Sequence, residues 1–162
     1  MSIKPADLIF YSGKTVRARL IEFAQVNPFS HVVMFIGCNC VIEVLPWQPI
    51  HVVSADKYLD SPDSYVFECT VLTERDRYRI VNIAKSYIGT PYNIRQLFEQ
   101  AARLFFHLPI KRGYSNNSFD CSTFVHHCYL QAGIRLTWAP VPSVADLAYS
   151  PLLAGKRPWG DE

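Results

Sequence analysis

Residues 119–133, "FDCSTFVHHCYLQAG", place a cysteine directly behind an acidic residue, where a helix-like spacing of apolar residues begins. Asp120 or Ser118 can cap this helix, so Cys121 is expected in its first turn. Backbone N–H groups and the positive end of the helix dipole favour a thiolate there. Free cysteine is also among the most buried residue types. For Cys121 alone, a nucleophile and a buried packing residue both stay open as interpretations.

The composition predicts one domain that spans residues 1–162. A chain of 162 residues that is 49% hydrophobic and 14% aromatic can bury one sizeable core but is short for two domains. Its net charge is only +2, without the dense basic footprint of a nucleic-acid binder. No stretch approaches the roughly 20 apolar residues that a membrane-spanning helix needs.

The N-terminus and the cysteine content bear on localisation. The first residues lack the basic region, apolar core and small-residue cleavage site of a signal peptide, so we expect the protein to be cytoplasmic at synthesis. Five cysteines are an odd number, whereas disulfide scaffolds are usually smaller and use paired cysteines. A reducing compartment at synthesis is the simpler interpretation.

Periodicity and chain breakers predict an α+β protein, mixed in its first half and mostly helical in its second. Strands are predicted at 7–11, 31–37, 40–45 and 64–72. Helices are predicted at 15–26, 74–89, 94–106, 121–133 and 143–149. Thr73 and Asp76 form a capping pattern at the start of the second of these helices. After 149 the chain is expected to trail off in a Pro-rich tail.

A nucleophilic thiol needs a base and a group that orients the base. His31 opens one predicted strand, and Glu43 lies in the next strand, twelve residues later. If the hairpin loop consists of residues 37–39, His31 and Glu43 share a face as diagonal neighbours, with roughly 7–8 Å between their backbones. A two-residue loop would place them on opposite faces. The prediction of a shared site therefore requires a loop of odd length.

Each of these residues also has an ordinary structural interpretation. Taken singly, Glu43 is better explained as a solvent-facing strand carboxylate, and His31 as a strand-end histidine with its hydrogen bonds satisfied. Their spacing in otherwise apolar strands, together with Cys121, favours a site. His126 and His127 are adjacent on a helix and point about 100° apart, so we expect surface or satisfied histidines rather than a facing pair.

The remaining cysteines offer a weaker alternative. Cys38, Cys40 and His51 could be metal ligands, but a single Cys-x-Cys pair without a second pair at zinc-like spacing is a weak signal. Core or turn positions are the better interpretation for these two cysteines and for Cys69 and Cys128. The cysteines therefore give only a weak indication of a metal site.

Several segments together resemble a known family. The stretches "PADLIFY" (5–11), "SHVVMFIG" (30–37) and "VIEV" (41–44) resemble three strands of the NlpC-type papain-like cysteine peptidases. The stretches "YIGTPYN" (87–93) and "FDCSTFVHHCYLQAGI" (119–134) resemble that superfamily's Gly-x-Pro-Tyr segment and nucleophile helix. Here the cysteine segment follows the histidine strand, which is the order of the circularly permuted YiiX/YebB-like branch. The resemblance covers most of the chain.

The resemblance implies a permuted papain-like fold, in which a small antiparallel sheet packs against a helix that carries the nucleophile at its N-terminus. It implies that Cys121 is the nucleophile, that His31 is the base and that Glu43 orients the imidazole. It also implies that Tyr92 lies near the site as a hydrogen-bond donor to the oxyanion or the substrate.

Three positions depart from the family pattern. Ala6 stands where the family often has glycine, and Asn93 occupies a position that is often acidic. Val33 replaces a small residue after the His-Val pair and adds bulk beside His31. The departure at Val33 leaves the shape of the substrate pocket open, whereas the mechanism is less affected.

The implied activity is that of a cysteine hydrolase with an acyl-enzyme intermediate, acting on amide bonds in peptides such as peptidoglycan stems. This mechanism needs no metal and no organic cofactor, so we expect neither. The alternative is an acyl-lipid hydrolase or acyltransferase, because permuted relatives include lecithin retinol acyltransferase-like enzymes. Residues 97–114 could form either a core-packing helix or a lipid-facing lid. A third reading is an inactive relative that binds a peptide, although such a module has no need of the Cys-His-Glu trio.

The expected partners follow from this activity. The substrate would be a peptide or an acyl lipid, with no nucleic acid involved. A cell-wall hydrolase without a signal peptide suggests export by a specialised secretion system or a role as a phage product. If the protein is a secreted effector, a dedicated immunity or inhibitor protein would accompany it.

Overall fold

The computed structural model describes residues 3–12, 28–91 and 119–155. The helices predicted at 15–26 and 94–106 lie outside the described residues. The strands are β1 (Leu8–Tyr11), β2 (His31–Gly37), β3 (Cys40–Glu43), β4 (His51–Ser54), β5 (Ser64–Cys69) and β6 (Leu153–Gly155). The helices are α1 (Asp56–Leu59), α2 (Glu74–Ser86), α3 (Cys121–Gln131) and α4 (Val144–Ala148).

The six strands form one sheet in the order β4-β3-β2-β1-β5-β6, and every pair is antiparallel. Helix α3 packs against β2 and α2 on one face, where Val32, Met34 and Ile42 join the larger core cluster. Alternate residues of the same strands, including Val33 and Val41, pack with α1 on the other face. Because both faces of the central strands are covered, these strands are apolar except for His31 at the start of β2 and Glu43 at the end of β3. The predicted α+β class with an antiparallel sheet is confirmed.

The β2–β3 hairpin reaches the expected register by a route that differs from the prediction. Met34 pairs with Ile42, but Gly37 pairs with Cys40, so the turn has two residues and a β-bulge shifts the register between Phe35 and Gly37. The predicted three-residue loop is therefore wrong. The bulge adds the extra residue that the shorter turn lacks, because two residues of one strand oppose a single residue of its partner. With either a three-residue loop or a two-residue turn plus a bulge, positions 31 and 43 lie on the same face of the sheet.

Some boundaries and elements differ from the sequence prediction. Strands β3 and β5 end at Glu43 and Cys69, earlier than predicted, and the predicted tail contains β6, which pairs with β5. Strand β4 and helix α1 were not predicted, because four-residue elements carry too little periodicity to be recognised. The predicted helix starts are confirmed where caps were named: Thr73 and Asp76 form a capping box on α2.

A buried ion pair fixes the start of β1. Arg77 Nη1 lies 2.7 Å from Asp7 Oδ1, and the two side chains are 3% and 0% exposed. Ala6, the neighbour of Asp7, has a φ of 68°, and its carbonyl accepts a hydrogen bond from the buried Tyr129 hydroxyl. This left-handed backbone favours glycine, which explains physically why glycine suits the position that Ala6 occupies.

Two further observations concern the whole described region. All five cysteines lie within it, and all are free thiols. Within residues 3–12, 28–91 and 119–155, no helix has the length and apolar character needed to cross a membrane.

Candidate active site

Cys121 is the first residue of α3, as the sequence predicts. Asp120 is the N-cap: its carboxylate accepts hydrogen bonds from the Thr123 backbone N–H at 2.8 Å and from the Ser122 hydroxyl at 3.0 Å. The Thr123 hydroxyl in turn accepts from the Asp120 N–H, which completes a capping box. Ser118, the other predicted cap, lies outside the described residues. The capping box therefore fixes the backbone around Cys121 through neighbouring residues of the chain alone.

The sulfur of Cys121 lies at the end of the β2–β3 ladder. The backbone N–H of Val32 on β2 is near enough to this sulfur to lower the pKa of the thiol. Phe35 exchanges backbone hydrogen bonds with Ala6 and Asp7, which precede β1. Backbone groups alternate in direction along a strand, so the Val32 N–H points toward β3, which ends at Glu43.

The thiol is neutral in this environment. Burial raises the pKa of Cys121 to about 12, and the charge of Asp120 adds to the shift. The N–H groups of Val32, Ser122 and Cys121 itself act in the opposite direction but do not compensate. The expectation that the helix N-terminus would favour a thiolate is therefore wrong for the resting site, because burial penalises the charged form more than these N–H groups stabilise it.

His31 opens β2 and pairs with Tyr11 of β1. It is half-buried as a residue, but its Nε2 atom is enclosed and has no hydrogen-bond partner among the described residues. Burial lowers the pKa of His31 to about 4, although the charge of Glu43 raises it, and the charge of Lys57 lowers it further. His31 is therefore a neutral imidazole at pH 7, and it can accept a proton.

Glu43 is the last residue of β3 and is 1% exposed. Burial alone would raise its pKa, but hydrogen bonds from Lys57 and Tyr58 hold the pKa of this carboxyl below its usual value. Lys57 Nζ and the Tyr58 hydroxyl both donate to Oε1. His51 Nε2 lies 3.1 Å from Oε2, within ion-pair distance but not aligned as a hydrogen bond. A solvent-facing strand carboxylate, the simpler interpretation from sequence, is excluded.

Tyr58 of α1 contacts two of the three predicted catalytic residues, Glu43 and His31, and the charge of the third, Cys121, acts on its pKa. Its hydroxyl donates to Glu43, and its ring centroid lies 6.0 Å from that of His31. Its pKa is raised far above the usual value by burial first, then by the hydrogen bond and charge of Glu43, and in part by Cys121. Residues 31 and 43 thus lie on adjacent antiparallel strands and flank one tyrosine. The expected separation of about 3–4 Å between the Cys121 sulfur and the imidazole stays a prediction.

Other sequence-based assignments have mixed outcomes. Tyr92 and Asn93 lie outside the described residues. His126 and His127 are buried rather than on the surface, and His127 Nε2 lies 2.9 Å from the Tyr87 hydroxyl. Val33 is buried on the face that carries Tyr58, as expected for a residue that adds bulk beside the site.

The sequence analysis missed Lys57 and Tyr58, and it considered His51 only as a metal ligand. The available signal was the segment "HVVSADKYLD" (51–60), in which two consecutive β-branched residues precede a Ser-x-Asp start to a helical turn. A hairpin between this segment and residues 40–43 would have placed position 51 beside Glu43. The Cys38, Cys40 and His51 metal set is not assembled, because Cys40 pairs with Ser54 while His51 pairs with Glu43 at the opposite end of the ladder.

Comparisons with known proteins give a relationship of fold. No family model matches the sequence, and no curated protein matches it. Among solved structures, the chain is similar to YiiX from Escherichia coli O157:H7, described as a metalloprotein of the DUF1105 group. The TM-score is 0.74 at 17% sequence identity, and the match covers 96% of this chain and 97% of YiiX. The chain therefore shares the mixed α/β fold of YiiX, with its antiparallel sheet.

Among the described residues of this chain, no three or more His, Cys, Asp or Glu side chains form a metal-binding group.

Proposed function

We propose that the protein is a cysteine hydrolase of the circularly permuted papain-like type, with Cys121 as nucleophile, His31 as base and Glu43 as the orienting carboxylate. The similarity to the YiiX fold supports this proposal, as does the permuted order of the sequence motifs. The observation that carries it is the environment of Glu43. A buried carboxylate held ionised beside a neutral histidine, with the Cys121 thiol near the Val32 N–H of the histidine strand, is the set of groups that such a mechanism requires.

The resting pair is a thiol and a neutral imidazole, so the first step is general-base catalysis. As the Cys121 sulfur attacks the carbonyl carbon, its proton moves to His31, the new C–S bond forms, and the carbonyl electrons move to oxygen. Glu43 stabilises the imidazolium that results. The backbone N–H of Cys121 is one donor available to the oxyanion, and Tyr92 is the second donor that the resemblance implies.

The tetrahedral intermediate collapses by breaking the C–N bond of the substrate, and the leaving nitrogen takes the proton from His31. This step leaves a thioester on Cys121. Water then attacks the thioester and gives a proton to His31, the C–S bond breaks, and the proton returns to the sulfur. The products are a carboxylic acid and an amine. We propose peptide amides, such as those of peptidoglycan stems, as the substrate class.

The test is to incubate the purified protein with peptidoglycan fragments and, separately, with phospholipid vesicles, and to identify the products by mass spectrometry. Cys121→Ala and His31→Ala should abolish turnover, and Glu43→Gln should reduce it by roughly 10²–10⁴, since Gln can accept a hydrogen bond but carries no charge. Cys38→Ala, at an exposed thiol, is the matched control and should keep full activity.

Each outcome has a definite meaning. Turnover of phospholipid alone would replace the peptide substrate with the acyl-lipid alternative while retaining the same nucleophile. Turnover that survives Cys121→Ala would overturn the proposal. No turnover of either substrate, together with binding of peptidoglycan peptides, would identify an inactive binding relative.

A further inference from the structure

The orienting carboxylate Glu43 lies between two histidines on the strands that flank β3. His51 on β4 pairs directly with it, and His31 lies on β2. Oxygen Oε1 is occupied by Lys57 and Tyr58, so either histidine must use Oε2. Oε2 has no aligned hydrogen bond, and Nε2 of His31 has no partner in the described part of the chain. One carboxylate oxygen is thus available to two imidazoles.

The tautomer of His51 follows from its other contact. His51 Nδ1 lies 2.8 Å from the carbonyl oxygen of Pro49, and a carbonyl only accepts hydrogen bonds, so Nδ1 carries the proton. In neutral His51 the Nε2 atom then carries a lone pair and no proton, so at 3.1 Å from Oε2 it has nothing to donate to that oxygen. In charged His51 the same atom is an N–H donor. The protonation state of His51 therefore decides whether it can donate to Oε2.

We propose that His51 is a positioning residue for Glu43. Charged His51 binds Oε2 of Glu43, whereas neutral His51 leaves Oε2 available to His31. This inference rests on the proposed function for its catalytic meaning, but the coupling between the two histidines can be measured without a substrate. The other titratable groups at this point are Tyr11 of β1, Lys57 and Tyr58 of α1 and Cys121 of α3. Lys57 and Tyr58 bind Oε1 and do not compete for Oε2.

The charge on His51 should shift the protonation of His31 in a defined direction. A charged His51 offsets the negative charge of Glu43, so that the imidazolium of His31 is less stabilised and forms at a lower pH. His51 is 29% exposed on an edge strand, so it can be replaced by residues that fix its charge. His51→Phe is never charged, and His51→Lys is charged throughout the relevant pH range. Val52→Lys is the matched control, because it adds the same charge one residue later on the opposite, exposed side of β4.

The experiment is an NMR titration of the histidine rings in the parent and the three variants. The His31 midpoint in His51→Phe should exceed that in His51→Lys by roughly half a pH unit to one unit, and the parent midpoint should not fall outside the range set by these two variants. Val52→Lys should match the parent. Ring ¹⁵N shifts in the parent should show neutral His51 protonated on Nδ1.

Equal His31 midpoints in His51→Phe and His51→Lys would overturn the proposal, as would a neutral His51 protonated on Nε2. If the protein is a hydrolase, His51→Lys should also lower kcat about tenfold relative to His51→Phe at pH 8 and leave KM unchanged. If neither candidate substrate is turned over, the titration still decides the coupling. Failure of the proposed function and failure of this inference are therefore distinguishable.

Discussion

The hydroxyl of Tyr58 donates a hydrogen bond to the buried carboxylate of Glu43. Because a hydrogen bond to a charged group contributes about 1.5–3 kcal/mol, Tyr58→Phe should lower the free energy of unfolding by about that amount at pH 7. The variant should also have a lower kcat, because Glu43 loses one of the donors that fix it. Urea unfolding and steady-state kinetics would measure the two effects.

Tyr78→Phe is the control for this prediction, since Tyr78 is 71% exposed on α2. Its substitution should change the free energy of unfolding by less than about 0.5 kcal/mol. If Tyr58→Phe is as neutral as Tyr78→Phe, the hydroxyl does not stabilise Glu43.

The pH dependence of turnover should show the lowered pKa of His31. A base must be neutral to accept a proton, so activity is retained above the pKa of His31 and lost as the pH falls through it. With that pKa at about 4 instead of the usual 6.5, the final loss of kcat/KM should occur near pH 4. The measurement is kcat/KM from pH 3.5 to 8, with circular dichroism at each pH. Complete loss near pH 6.5 in a folded protein would contradict the assignment of His31 as an enclosed base.

The raised pKa of Cys121 predicts how its alkylation should respond to Asp120→Asn. Asn is as good an N-cap as Asp, so the variant keeps the helix start while it removes the charge that raises the pKa of the thiol. Alkylation of Cys121 by iodoacetamide at pH 8 should therefore become several-fold faster, as followed by peptide mass spectrometry.

Asp146→Asn provides the comparison for alkylation, because Asp146 occupies the capping box of α4 and is not among the groups that shift the pKa of Cys121. Its alkylation rate should equal that of the parent. A slower rate in Asp120→Asn would mean that Asp120 assists the thiol instead of opposing its ionisation.

A substitution in the turn of the β2–β3 hairpin should stabilise the protein without changing the candidate site. Cys38 and Asn39 have φ values of 50° and 55°, a left-handed pair that matches a two-residue hairpin turn. Asn tolerates this conformation better than cysteine, so Cys38→Asn should raise the free energy of unfolding by about 0.5–1 kcal/mol. Thermal and urea unfolding of the parent, Cys38→Asn and Cys38→Val would test this. Cys38→Val should be destabilised, because a β-branched residue is a poor fit to a positive φ.

The sequence was informative where a feature depended on neighbours along the chain. The cap of α3 is set by Asp120 and Thr123, three residues apart, and the strand around His31 by its run of apolar residues. Such local patterns place Cys121 in a first helical turn and His31 at the start of a strand without knowledge of the fold.

Other features depend on contacts that the sequence does not display. The bulge between Phe35 and Gly37 replaces a longer loop with the same parity, and a pattern of period two cannot distinguish the two solutions. The state of the thiol was predicted from the helix N-terminus alone, whereas the desolvation that outweighs it comes from burial against the rest of the chain. Lys57 and Tyr58 reach Glu43 from a four-residue helix, which no periodicity could have indicated.

The exposed side chain of Asn39 connects the hairpin turn to the far side of the sheet. Its side-chain nitrogen Nδ2 lies 2.9 Å and 2.8 Å from the two carboxylate oxygens of Asp56. The backbone carbonyl of Asn39 also accepts a hydrogen bond from the Ala55 N–H at 2.8 Å, so the turn holds the start of α1. Since α1 also supplies Lys57 and Tyr58, which donate to Glu43, Asn39 links a surface loop to the candidate site. If the proposed function holds, Asn39→Ala should lower activity, although position 39 lies on the surface and is remote in sequence from Cys121.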